Sequence, residues 1–197
     1  MSDGYAGLIG TIVGALITGG FAWFSDWRKN RAKNQKDLEV LALKLSYKLE
    51  IYVSQCLECS EDDGLEYYFE DDGRGAGTYF RGYTTEFPEF TLGKFEDIEW
   101  KLLPVSLMHE IFTLPTKVNS AKQRFNKEWK DFDDHLNDSY PTTIRAKELT
   151  DLGIYFYNVS SKLRTLVGLP LPDDLSIINR LEKNKIENDK EYDKLFG

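Results

Sequence analysis

Cys56 and Cys59 stand three apart as C-x-x-C. With a second such pair the spacing suits zinc, and in a βαβ context it suits a redox dithiol. The chain has two cysteines in all and no βαβ pattern around them. They close a strongly helical stretch in which positions i and i+3 share a face, and cysteine is among the most buried residue types. Packing is therefore the expected role. Glu58, Glu61, Asp62, Asp63, Glu66, Glu70, Asp71 and Asp72 offer hard oxygen ligands, but not in the D-x-[DN]-x-[DN]-G order of a calcium loop, and they read as solvated loop acids. Gly73-Arg74-Gly75-Ala76-Gly77 has no Lys-Ser/Thr after it and reads as a turn, not a phosphate cradle.

The two histidines are equally poor in partners. Asp131 and His135 share a helical face with Asp134 and Asp138 close by, yet carboxylate-bridged metal bundles draw Glu-x-x-His from two helices. His109-Glu110 lacks the second histidine of H-E-x-x-H, and Ser160-Ser161 lacks the glycines of a nucleophile elbow. These residues read as solvated polar faces. No catalytic, metal or cofactor site is expected, and an enzyme with an unrecognised site is the remotest of three functional readings.

The elements that carry these residues are more informative. Tyr5 to Phe24, YAGLIGTIVGALITGGFAWF, bears no charge. A helix of about 20 residues at 1.5 Å each spans a hydrocarbon core of roughly 30 Å. Trp23 and Trp27 lie at its end, followed by Arg28, Lys29, Arg31, Lys33 and Lys36. The residues ahead of it, Met1 to Gly4, are not the basic region of a cleaved signal. A retained single-pass transmembrane helix is expected over 5–24, with a short external tail at 1–4 and a basic juxtamembrane linker at 25–36. The one-sided basic cluster places the C-terminal domain in the cytoplasm, with its cations on anionic lipid headgroups. Gly7, Gly10, Gly14 and Thr18 belong to two rows of small residues, including a GxxxG, that let helices approach closely in lipid, so self-association is expected.

Charge is divided along the chain. Residues 1–36 hold five basic and two acidic residues, a net +3, which leaves −11 of the total −8 for the remainder. An acidic distal domain excludes nucleic acid as a partner, since that needs a basic face.

Residues 37–197 read as a cytoplasmic helical domain. Leu38, Leu41, Leu45, Leu49, Tyr52, Cys56 and Cys59 form one helical stripe and Val40, Leu43, Tyr47 and Ile51 a second. A helix apolar on two faces is either central in its bundle or shared with a second protomer. Residues 61–100 are an aromatic-rich insertion, with β-formers at 65–70 and 78–83 around a glycine turn, expected as a small β-hairpin. Tyr68, Phe80 and Tyr83 are its candidate partner surface, the alternative being a lid over the bundle. Pro115 is expected to separate a short helix ending near Thr113 from a long one, and Pro141 to open the next. Gly168-Leu169-Pro170 reads as that helix's stop, and Asp173 or Asp174 as the cap of the last, which runs to about Lys194.

The fold class is thus mainly α: one transmembrane helix, then an antiparallel helical bundle with a β-hairpin insertion. The leading function is a membrane-anchored, self-associating adaptor presenting its domain to a cytoplasmic protein. The alternative is a membrane effector whose assembly forms a disruptive bundle or pore.

Overall fold

A computed structural model describes residues 3–62, 64–69, 78–92, 100–132, 140–172 and 175–196, with the backbone alone for 3–26, 65–69, 78–82, 128–132, 140–141 and 195–196. The described residues are mainly helical: α1 (Asp3–Ser60), α2 (Val105–Phe132), α3 (Tyr140–Leu166) and α4 (Ser176–Phe196). Two short strands, β1 (Leu65–Phe69) and β2 (Thr78–Gly82), pair antiparallel with Leu65 opposite Gly82 and Phe69 opposite Thr78. The residues between these strands lie outside the description. The chain divides into two units, Met1–Leu41 and Ala42–Gly197.

The first unit is helix α1 as far as Leu41. The segment expected as a linker, 25–36, is continuous helix. Its described side chains are exposed. The Arg31 guanidinium lies 5.4 Å from the Trp27 ring centroid, and Gln35 Nε2 donates to Glu39 Oε1 at 3.1 Å. Among the described residues no helix is long and apolar enough to cross a membrane. The run expected as the span, 5–24, lies outside the residues whose side chains are described.

The second unit is a helical bundle. The inner stripe of α1 (Leu45, Leu49, Tyr52, Cys56 and Cys59) is buried against the stripe of α3 (Leu149, Leu152, Phe156, Val159 and Leu163), with Leu181 of α4 beside it. The three helices meet at Gly153, where a Cβ would lie 3.0 Å from Leu181 and 3.2 Å from Cys56. Only a residue without a side chain leaves that approach open. Helix α3 also contacts α2, whose buried row is Leu107, Ile111, Leu114, Val118 and Ala121.

Two helix ends follow from their residues and one break does not occur. Pro141 lies in the first turn of α3, where its missing N–H costs nothing. At the other end Gly168 adopts φ +70°, Leu169 N donates to Arg164 O at 2.9 Å and Gly168 N to Thr165 O at 3.2 Å, the paired bonds of a Schellman stop. Pro115, by contrast, sits inside α2, which runs unbroken from Val105. The proline deprives the Ile111 carbonyl of its donor, a cost of roughly 3 kcal/mol. Ile111, Leu114, Val118 and Ala121 are all buried on the continuous face; at about 1.5–3 kcal/mol for each large side chain, their burial outweighs the proline. Asp173 and Asp174, expected to cap α4, lie outside the described residues.

Candidate functional site

The most concentrated polar chemistry is a buried knot around Arg145, one turn into α3. The period of α3 explains its position: Arg145 is four residues before Leu149, on the face that goes inside, and it is 1 % exposed. Its Nη2 donates to Thr85 O at 2.7 Å and Thr85 Oγ1 at 3.0 Å, and its Nη1 reaches Asp62 Oδ2 at 3.4 Å. The guanidinium carbon stands 4.0 Å from the Tyr83 ring centroid. Asp62 in turn accepts from Thr85 N at 2.7 Å, Thr85 Oγ1 at 2.6 Å and Gly64 N at 3.0 Å. Burial alone would raise the Asp62 carboxyl, but the side-chain and backbone donors of Thr85, with Gly64 N and the Thr84 hydroxyl, hold it well below the usual carboxylate range. Asp62, expected as a solvated loop acid, is therefore a buried, fully engaged anion. The Arg145 guanidinium and the Asp62 carboxylate both bond within the chain, so the knot fastens segment 83–90 to the bundle.

The same segment is fastened a second time. Phe90 packs edge-on to Tyr52 (5.2 Å between centroids) and Phe156 (4.7 Å). Tyr52 Oη donates to Pro88 O at 3.2 Å, and Cys59 Sγ to Glu86 O at 3.3 Å. Burial pushes the Cys56 thiol and the Tyr52 phenol far above their ordinary values; Cys56 adds to the rise at Tyr52, whereas the hydrogen bond from Tyr52 offsets part of the rise at Cys56. A thiol that does not ionise is neither nucleophile nor metal ligand. Cys56 and Cys59 are unpaired with each other and serve as packing groups.

A groove of about 690 Å³ runs between α2 and α3, lined by His109, Lys117, Arg124, Glu148, Asp151 and Tyr155 among others. Its charges are already matched. Arg124 Nε donates to Glu148 at 2.7 Å, Lys162 Nζ to Glu110 at 2.7 and 2.8 Å, and Lys117 lies 4.4 Å from the Tyr155 ring centroid. The Glu148 hydrogen bond raises Arg124 further above its ordinary value. His109 is exposed at the groove's edge. Among the described residues no group of His, Cys, Asp or Glu is placed to hold a metal ion. Asp134, His135 and Asp138 lie outside them.

The remaining expected positions are scattered. Arg28, Lys29, Arg31, Lys33 and Lys36 are exposed on one helix. Gly7, Gly10, Gly14 and Thr18 belong to the same helix, with their surroundings outside the description. Tyr68 and Phe80 occupy successive rungs of the β1–β2 ladder, opposite Tyr79 and Tyr67 respectively. Tyr83 is half-buried, edge-on to Phe125 at 5.8 Å as well as under Arg145, and so packs as a lid does.

Among the described residues the outer face of α1 carries a row of exposed apolar side chains. Val40 (52 % exposed), Leu43 (50 %), Tyr47 (65 %) and Ile51 (44 %) form its second stripe. Of the two roles expected for a twice-striped helix, a central place in the bundle is thereby set aside. The chain matches no known protein family, no characterised protein and no solved structure.

Proposed function

We propose that this chain is a membrane-anchored, self-associating interaction module: residues 5–24 span the bilayer, and the bundle is held on the cytoplasmic side for a protein partner. The observation that carries this reading is the uncharged run 5–24, followed directly by five exposed basic side chains on the same helix. Cations so placed favour the cytoplasmic side and gain on the order of 1 kcal/mol each against anionic headgroups. The one-sided cluster of exposed cations next to an uncharged run supports an anchored binding module.

Topology fusions test it. A C-terminal alkaline phosphatase fusion is expected to be inactive and a fluorescent-protein fusion bright, with the chain retained in the membrane pellet after carbonate. An active phosphatase reverses the orientation, and release by carbonate removes the anchor. Dye leakage on induction moves the reading to a pore-forming effector.

A further inference from the structure

We infer that the outer face of α1 is the seam of a parallel pair formed with a second copy of this chain. This deepens the proposed self-association, and it rests on that reading for the biological setting but not for its geometry. Val40, Leu43, Tyr47 and Ile51 step by three, four and four residues, a single row on a helix of 3.6 residues per turn. The opposite row, Leu45, Leu49, Tyr52 and Cys56, is taken up by the bundle. Four large apolar side chains in line, all more than two-fifths exposed, form the seam pattern of paired helices rather than a water-facing one.

The flanks of the row identify the occupant and its direction. Glu39 lies on one side and Lys44 on the other, and both are exposed. With Val40 and Leu43 as seam positions, these two residues sit five apart at the places where paired helices exchange charges. When two copies run parallel about a twofold axis, Glu39 of each faces Lys44 of the other. Antiparallel, Glu39 meets Glu39 and Lys44 meets Lys44, a repulsive arrangement. Beside Ile51, the last residue of the row, Glu50 turns away to Arg164, bound at 2.6 and 2.9 Å, and to the Ser160 hydroxyl at 2.7 Å. A second copy is thus complementary to the apolar row and to the Glu39 and Lys44 flanks, while the exposed Lys36, four residues before Val40 on the same line, closes the row at its N-terminal end.

The test uses the full chain in native membranes, with the buried Cys56 and Cys59 left in place. Tyr47→Cys is expected to crosslink under mild oxidation to a species of twice the chain's mass, and Lys190→Cys on the outer side of α4 is not. Adding Leu43→Asn and Ile51→Asn to Tyr47→Cys should lower the crosslink on the order of tenfold, a change of about 1.4 kcal/mol. Both asparagines replace exposed residues, so the melt of the dilute chain should hold. In the Tyr47→Cys background, Glu39→Lys or Lys44→Glu alone should weaken the pair and the two together restore it. A crosslinked pair that the double reversal does not restore overturns the parallel arrangement. A crosslink to a different protein overturns the second copy as occupant. No crosslink in a chain that stays in the carbonate pellet overturns the seam and leaves the anchor standing. A crosslinked chain found in the supernatant does the reverse.

Discussion

Helices α1 and α4 each give one side to the bundle and one to the outside, and they treat the outside differently. On α4, Arg180 and Asn184 bind Glu61, Lys185 joins Asp151 and Asp189, and Lys183 pairs with Glu187. Among the described residues of α4, Ile186 is an isolated exposed apolar side chain beside them. The hydrogen bond to Lys147 is the largest influence on Asp189 and lowers it below its ordinary value, while Asp151 raises Lys185 above its own. On α1, the outer positions between 40 and 51 hold Val, Leu, Tyr and Ile in a row. Both helices have a sound inner stripe, so folding the bundle demands nothing more of either outer face. The contrast sets a charge-matched face that suits water against an apolar one that does not, and it is the latter that the proposed seam would cover.

The comparison breaks first if the bundle itself is not what makes an inner face inner. The largest effect is expected at Arg145. Arg145→Met leaves the Asp62 carboxylate buried without its cation, and losing one partner of a buried pair costs about 3–5 kcal/mol. Denaturant melts measure it. The same knot sets an acid limit. Because the folded Asp62 carboxyl lies below its unfolded value of about 3.9, its contribution is fully present above that pH and is lost as pH falls through the folded value. Stability should decline between pH 5 and 2, and Asp62→Asn should flatten that decline.

These two residues also mark how far the sequence could be read. The inner stripes of α1, α2 and α3 follow from helical period, and Gly168-Leu169-Pro170 announces its own stop. The position of Arg145 at the same period as Leu149, Leu152, Phe156 and Val159 was visible, though no buried charge was expected there. Its partners were not visible, because Asp62 lies 83 residues away and Thr85 lies 60 away. Pairings of that span are set by the packed fold and leave no local spacing. Pro115 was misread for a related reason: its local preference to start a helix lost to the burial of side chains on both sides of it. The outer stripe of α1 was plain as a pattern, but periodicity shows that a face is apolar without showing what lies against it.

A sharper form of the comparison uses the two faces of α1 alone. Leu49→Ala removes a fully buried side chain and should cost about 2–5 kcal/mol in the unfolding free energy. Tyr47→Ser, two residues away on the exposed row, should change the melt of the dilute chain by no more than about 0.5 kcal/mol. The wild-type melting temperature should rise with protein concentration, and in Tyr47→Ser that rise should vanish, because a surface shared between copies stabilises only the associated form. A concentration-independent wild type would make the row an ordinary exposed patch.

The smallest effect belongs to α4. Lys183 Nζ lies 3.8 Å from Glu187, one turn on, with both side chains more than half exposed. An exposed pair at this spacing is worth about 0.3–0.5 kcal/mol and is screened by salt. Lys183→Ala should therefore lower stability by a few tenths of a kcal/mol at low salt, with a smaller difference at high salt and no dependence on protein concentration. Melts of wild type and variant at two salt and two protein concentrations test this. If the variant shifts the concentration dependence instead, the outer face of α4 is also shared between copies. The distinction between the two helices would then fail on the side where water was taken to be sufficient.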